Sequence, residues 1–209
     1  MAVGTRRNDA GGNNVTTYPK IWFLRHGQTE WNKEYRLQGQ LDSPLTDQGL
    51  AEARRQAELM PPILALKPAL YASPLGRARQ TADIALCQTP YQTDPRLMEI
   101  HAGDWQGMLR DEIMARHPDW AATSPTPLEI YEAAEGGEGL TAFHARIRDF
   151  MRGLDGPSVI VAHGLLGQVL RAEARGMPLA AAGGLSNLQG CVYAIENGVE
   201  TRMDMPERV

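Results

Sequence analysis

The sequence predicts an α/β fold: a three-layer α/β/α sandwich on a mostly parallel central sheet. Two observations carry this expectation. Short apolar runs of strand length alternate with longer segments whose apolar residues recur at helical spacing, the pattern of a sheet covered by helices. The runs also end abruptly in polar groups, at Arg25-His26-Gly27, at Ser73-Pro74 and at His163-Gly164. Ligands of open α/β sheets bind beyond the carboxyl ends of the strands.

The first apolar run, Lys20-Ile21-Trp22-Phe23-Leu24, reads as a buried strand. After a loop, Thr46 is the N-cap of a helix carrying Leu50, Ala53, Ala57 and Met60 on one side, and Pro61-Pro62 ends it. Ala69–Ala72 reads as a second strand. Ser73 then caps a helix with Pro74 in its first turn, and Arg77 and Arg79 follow. Residues 97–107 read as a strand end and loop. Residues 109–117 read as a helix before an uneven stretch with Pro118, Pro125, Pro127 and Gly136-Gly137. Leu140, Phe143, Ile147, Phe150, Met151 and Leu154 trace an amphipathic helix. Ser158–Ala162 reads as a buried strand and 165–175 as the helix after it. Val192–Glu196 and Val199–Met203 form a hairpin turned by Asn197-Gly198.

The chain has 209 residues, 43% hydrophobic and 22% charged, which excludes collagen-like, disordered and disulfide-scaffold proteins. Its length suits one domain, expected over 18–209 after a flexible extension at 1–17. A net charge of −4 provides no field to draw nucleic acid or an anionic membrane. No apolar run approaches the ~18–20 residues of a membrane span, and the polar, glycine-rich start lacks the apolar core of a signal peptide. Cys87 and Cys191 lie far apart outside any CxxC pattern and read as reduced thiols. The expectation is a cytoplasmic protein without nucleic-acid or membrane partners, with a homodimer left open.

Three strand ends bring Arg25, His26, Arg77 and His163 to one edge of the sheet. Two histidines and two arginines form a cationic cup, and a glycine after each histidine lets a ligand approach the backbone. A phosphoryl group suits such a cup, because its peripheral oxygens take charge-assisted hydrogen bonds. Other chemistries fit less well. No glycine-rich run ends in Gly-Lys-Ser or Gly-Lys-Thr, no Gly-x-Gly-x-x-Gly follows the first strand, and the five histidines are scattered rather than spaced for zinc.

Leu24-Arg25-His26-Gly27-Gln28-Thr29-Glu30-Trp31-Asn32 resembles the signature of the histidine phosphatase superfamily, also called phosphoglycerate mutase-like. Four further blocks follow in the family's order. They are Asp42-Ser43-Pro44-Leu45-Thr46-Asp47-Gln48-Gly49, Ser73-Pro74-Leu75-Gly76-Arg77-Ala78-Arg79-Gln80-Thr81-Ala82, the stretch 97–107 around Glu99, and Val161-Ala162-His163-Gly164. The resemblance implies a phosphoglycerate mutase-like sandwich and a phosphomonoester hydrolase that works through a phosphohistidine. His26 is then the nucleophile, and Glu99 is the proton donor to the leaving alcohol and later the base for water. His163 joins them as a catalytic group that binds the transferred phosphoryl oxygens with Arg25 and Arg77, while Asn32 and Gly164 complete the phosphate site. Gln38 and His101 are implied substrate contacts. No metal or other cofactor is implied, since the arginines and His163 neutralise the phosphoryl charge, and the partner is a small phosphorylated substrate.

The residue types suit these roles. A histidine nucleophile must be neutral at the attacking nitrogen, which neighbouring positive charge favours, and an alkoxide leaving group needs an acid within reach. Arg79 reads as structural, His117 and His144 as helix-surface residues, Gln28 and Thr29 as loop-fixing residues, and Trp31, Trp105 and Trp120 as packing or pocket aromatics. Two alternatives remain: a cofactor-dependent phosphoglycerate mutase, and a phospho-ligand binding module without turnover. Mutases of the superfamily resemble each other in a longer, more basic insert before the second histidine. Here 104–138, read as a lid or insert, carries eight acidic residues against only Arg110 and Arg116. An acidic lid over the cup would repel a second anionic group on the substrate.

Overall fold

The computed structural model describes residues 6–8 and 14–205, with side chains from residue 17 on. β1 (Arg6–Asn8) and β2 (Asn14–Thr16) pair antiparallel in a ribbon of their own. These six residues depart from the unstructured segment expected over 1–17. Much of that expectation falls on 1–5 and 9–13, outside the described residues.

The main sheet contains β3 (Ile21–Arg25), β4 (Ala69–Ala72), β5 (Gln92–Thr93), β6 (Ser158–Ala162), β7 (Val192–Glu196) and β8 (Val199–Met203), in the order β5-β4-β6-β3-β7-β8. β5, β4, β6 and β3 are mutually parallel, and β7 runs against both β3 and β8. β3 and β6 lie at the centre and are apolar on both faces, as parallel strands covered on both sides must be. Ile21, Phe23, Ile160 and Ala162 face one layer of helices, α8 (Gly139–Arg152) and α9 (Gly164–Ala174). Trp22, Leu24, Val159 and Val161 face the other, α2 (Asp47–Leu59), α3 (Pro61–Leu64) and α4 (Gly76–Ala85). This alternation is the period of two along a strand, and it produces the three layers.

Between α4 and α8 the chain forms the short helices α5 (Arg110–Arg116), α6 (Trp120–Thr123) and α7 (Pro127–Glu132), which bury Leu37, Ala102, Trp105, Ile113, Ile130 and Ala134 in a small core of their own. The single turn α1 (Glu30–Lys33) follows β3. Thr46 caps α2 as expected, its Oγ1 accepting from Gly49 N at 3.0 Å. Asn197 and Gly198 turn the β7–β8 hairpin with φ of 53° and 79°, the left-handed pair that a tight hairpin requires.

α2 ends at Leu59, before Pro61-Pro62 as expected, and Pro61 opens the short new helix α3, since a proline fits a first turn. Two features depart from the sequence reading. β5 had no sequence signal, since Gln92 and Thr93 are polar and exposed. Ser73 caps nothing: α4 starts at Gly76, and the Ser73 hydroxyl lies against His163 instead.

The first turn of α2 packs backbone to backbone on the His26-Gly27 loop. A Cβ on Gly49 would sit 2.0 Å from Gln28 O, and one on Gly27 2.2 Å from Gly49 O. Gly49→Ala is therefore expected to displace the loop, costing about 1–3 kcal/mol as overpacking does. Thermal denaturation checks the stability loss, and the loss of turnover should be larger than that at an exposed α2 position such as Glu58.

Candidate active site

β3 and β6 run in register, with Arg25 opposite Ala162, so the residues that follow each strand are neighbours. His26 N donates to Ala162 O at 2.9 Å, and the His26 and His163 rings meet edge to face with centroids 5.2 Å apart. His26 Nδ1 lies 2.8 Å from Gly27 O. A carbonyl only accepts, so Nδ1 carries the proton and Nε2 holds a lone pair. Arg77 Nε stands 3.3 Å from that Nε2. Burial holds the His26 pKa well below the usual 6.5, and Arg77 and Arg25 add to the effect. Burial does the same to His163, reinforced by Arg77 and His26. Both rings are neutral, the form that a nucleophile requires.

Arg77 is 2% exposed, and four of its five N–H groups have partners. Besides His26 it donates through Nη1 to Leu41 O at 2.7 Å and Asp42 Oδ1 at 3.2 Å, and through Nη2 to Gly39 O at 2.8 Å. Arg25 Nη1 donates to Asn187 O at 2.5 Å, while its buried Nε has no partner among the described residues. Glu99 lies at the amino end of α9, where its carboxylate accepts from Leu165 N, Leu166 N and Ile100 N, each at 3.0 Å. Burial raises the Glu99 pKa above the usual 4.5, and the three amides and Arg77 only partly offset it. An acid with a raised pKa beside two neutral histidines is the division of labour that phosphoryl transfer to an imidazole needs.

A cavity of 210 Å³ opens over these groups. Arg25, His26, Arg77 and Glu99 line it, together with Asn32, Gln38 and Gly164, so seven of the nine expected site residues share one space. Asn32 Oδ1 accepts from Thr29 N in a capping box of α1, which leaves the amide NH2 as its donor to the cavity. Gln38 Nε2 donates to Thr29 Oγ1 at 2.7 Å. His163 lies beneath the lining, fully buried against His26.

His101 does not line the cavity. Its Nδ1 accepts from Gly103 N at 3.1 Å and its Nε2 lies 3.2 Å from Gln106 Nε2, so the ring ties a loop. The acidic lid is also corrected. From 104–138 only Pro127 and Tyr131 reach the cavity. Asp104, Asp111, Glu112, Asp119, Glu129, Glu132 and Glu135 are exposed, and Glu138 pairs with Arg146 at 2.7 Å. Ile113, Leu128, Ile130 and Ala134 occupy the inward side of this segment, which leaves its acids to water. His117 stacks on Trp120 with ring centroids 4.2 Å apart, and Trp105 meets both rings edge to face. His144 pairs with Glu173 at 2.7 Å, and Arg79 is exposed.

Sequence reasoning missed several residues that build the site. Arg36, Tyr131 and Asn187 line the cavity. Glu52 Oε2 accepts from Gln28 N at 2.7 Å, and Gln56 Nε2 donates to Arg25 O at 2.9 Å, so buried α2 side chains hold the loop that carries His26. Their signal was present: two polar residues four apart beside Ala53 on the buried side of a helix need partners. Arg146 from α8 fixes the acid's backbone, donating to Glu99 O at 3.0 Å.

The geometry agrees with the comparison to known proteins. Residues 21–201 match the family model of the histidine phosphatase superfamily, branch 1. The chain belongs to that superfamily. This histidine phosphatase is 36% identical over 178 residues to a glucosyl-3-phosphoglycerate phosphatase of Mycolicibacterium vanbaalenii, covering 77% of this chain and 76% of the relative. It is 41% identical over 118 residues to a 2,3-bisphosphoglycerate-dependent phosphoglycerate mutase of Bifidobacterium longum, covering 52% of this chain and 48% of the relative. Among solved structures it resembles a candidate alpha-ribazole-5'-P phosphatase of Escherichia coli, with a TM-score of 0.73 and 26% identity over 92% of this chain and 98% of the other.

Proposed function

We propose that this histidine phosphatase hydrolyses small phosphomonoesters through a phosphohistidine on His26. The observation that carries the reading is the neutral, oriented His26, whose Nδ1 proton is committed to Gly27 O while Nε2 lies in a cup of arginines. In the first step Nε2 attacks phosphorus, the ester P–O bond breaks, and Glu99 protonates the departing oxygen. In the second, Glu99 takes a proton from water, the water oxygen attacks phosphorus, and the P–N bond breaks to return His26 and release phosphate. Arg25, Arg77 and His163 hold the peripheral oxygens throughout, with Asn32 as a further donor. Such fixed donors supply the electrostatic stabilisation that metal ions supply in other phosphoryl-transfer enzymes.

The cavity of 210 Å³ is small beside the roughly 300–1,000 Å³ of ordinary ligand pockets. It takes a phosphoryl group and a short part of the leaving group, which supports a small phosphorylated metabolite as substrate. At nearly equal coverage, the relative named as a phosphatase is 36% identical and one named as a probable phosphoglycerate mutase 31%, which supports hydrolysis. The acids of 104–138 argue neither way, because seven of them are exposed and Glu138 pairs with Arg146. Free thiols at Cys87 and Cys191 support a reducing, cytoplasmic setting, and no described helix is long and apolar enough to cross a membrane.

A phosphate-release screen over sugar phosphates, nucleotides, phosphoglycerates and phosphoamino acids, run with a chelator, tests this directly. A coupled mutase assay with 2,3-bisphosphoglycerate belongs beside it. The expected result is free phosphate from at least one class, undiminished by the chelator. Efficient exchange of 2- and 3-phosphoglycerate with little phosphate released would make the protein a mutase. Tight phosphate binding without turnover would make it a binding module.

A further inference from the structure

We infer that Ser73 is a positioning residue that holds His163 in the tautomer protonated at Nδ1, so that a neutral imidazole presents an N–H to the phosphoryl group. The argument is a proton count. Ser73 follows β4 and His163 follows β6, and the register of these strands, Ala72 opposite Val161, sets the two side chains together. Ser73 Oγ lies 2.7 Å from His163 Nε2, and both residues are fully buried. The other partner of that hydroxyl among the described residues is Leu75 N, 3.3 Å away, which can only donate.

A serine hydroxyl has one proton to give and two lone pairs. If His163 Nε2 also donated to Oγ, the hydroxyl would accept twice and its own proton would be buried without an acceptor, which is costly. The arrangement that satisfies the hydroxyl, Leu75 N and Nε2 together has Leu75 N donating to Oγ and the hydroxyl donating to Nε2. Nε2 then holds the lone pair, and the single imidazole proton sits on Nδ1. That Nδ1 is buried without a partner among the described residues. It is an unused donor beside His26, where the transferred phosphoryl group would lie. The opposite tautomer would aim a lone pair at an anionic oxygen. His26 and His163 are thus held in the same tautomer by different means, a carbonyl accepting from Nδ1 of the first and a hydroxyl donating to Nε2 of the second.

The kinetic part of this inference rests on the proposed phosphatase reaction; the tautomer does not. Long-range ¹H–¹⁵N correlation spectra of the full-length protein labelled with [¹⁵N]histidine report each tautomer directly, with His163→Gln used to assign the signal. The wild type should show a pyrrole-type Nδ1 and a pyridine-type Nε2 for His163. Ser73→Ala should move the ratio towards the Nε2–H form and lower kcat for p-nitrophenyl phosphate about 10- to 100-fold, the scale of a lost hydrogen bond to a charged group. KM should change much less, and Ser73→Thr, which keeps the hydroxyl, should recover both the tautomer and most of the rate. A wild-type His163 protonated at Nε2 would overturn the inference, even if Ser73→Ala failed to fold. So would an unchanged tautomer in a folded Ser73→Ala. Absent phosphate release in the wild type with the expected tautomer would instead sink the hydrolase reading and leave the assignment of Ser73 to His163 standing.

Discussion

His26→Ala is expected to release phosphate at less than about a hundredth of the wild-type rate, because losing a covalent nucleophile costs orders of magnitude that binding energy does not replace. The fold should survive. His26 sits at the end of β3, whose pairing with β6 and β7 uses backbone atoms, and the ring itself is neutral. Its removal leaves Arg77 with Leu41 O, Asp42 and Gly39 O as remaining partners, so the guanidinium stays in place. Cooperative thermal unfolding of the variant, measured with its activity on p-nitrophenyl phosphate, separates lost chemistry from lost structure. Activity well above a hundredth in a folded variant would assign the nucleophile elsewhere.

The second large effect belongs to Glu99. General acid catalysis contributes roughly 10²–10⁴-fold where the leaving group is poor. Glu99→Gln should therefore slow alkyl phosphates far more than aryl phosphates, whose phenolate leaves without a full proton. The ratio is the measurement to trust, because the substitution also disturbs hydrogen bonds. Oε1 accepts from Ile100 N and Leu166 N, and Oε2 from Leu165 N. A glutamine has one acceptor oxygen for these sites and places an NH2 against a backbone N–H, at a cost of about 1–3 kcal/mol in stability. The pH profile supplies an independent sign. Glu99 acts as an acid only when protonated, so kcat/KM should fall as pH rises through its elevated pKa, and this limb should vanish in Glu99→Gln. The acid limb belongs to His26, which must be neutral. Its depressed pKa puts that limb below the ordinary histidine value of 6.5. Equal losses on alkyl and aryl phosphates with an unchanged basic limb would remove Glu99 from the acid role.

Much of the site was legible because its residues sit where sequence patterns break. Arg25, His26 and His163 stand directly after runs that bury both faces, and a histidine at the end of such a strand has a ligand edge as its natural place. Arg77 follows a strand end at one remove, on the helix after Ser73-Pro74, and shares that signal. Glu99 had none of its own: the family's blocks pointed to it, and the structure puts both on the cavity. The errors have a common origin in direction. Composition counts the acids of 104–138, but only tertiary packing decides that Ile113 and Ile130 turn inward and Glu112 and Glu129 outward. His101 is two residues from Glu99, yet its ring closes on Gly103 and Gln106, while Tyr131, far along the chain, reaches the cavity. Ser73 has the composition of a helix cap and was read as one. The pairing of β4 with β6, a long-range fact, gives its hydroxyl to His163. β5 was invisible for a simpler reason: two exposed polar residues carry no hydrophobic period.

The account stands on a phosphorylated nitrogen at His26. The most direct measurement mixes the intact wild-type protein with a labelled phosphomonoester that the release screen shows to be turned over, then quenches within a single turnover. One half of the sample is quenched in base and one half in acid, and peptide mass spectrometry of the base-quenched half locates the label. A phosphohistidine is a phosphoramidate, so the predicted result is label on His26 that survives base, is lost in acid, and is absent from His26→Ala. Acid-stable label on a serine, label on a histidine other than His26, or rapid turnover with no covalent label under conditions that trap a phosphohistidine standard would contradict it.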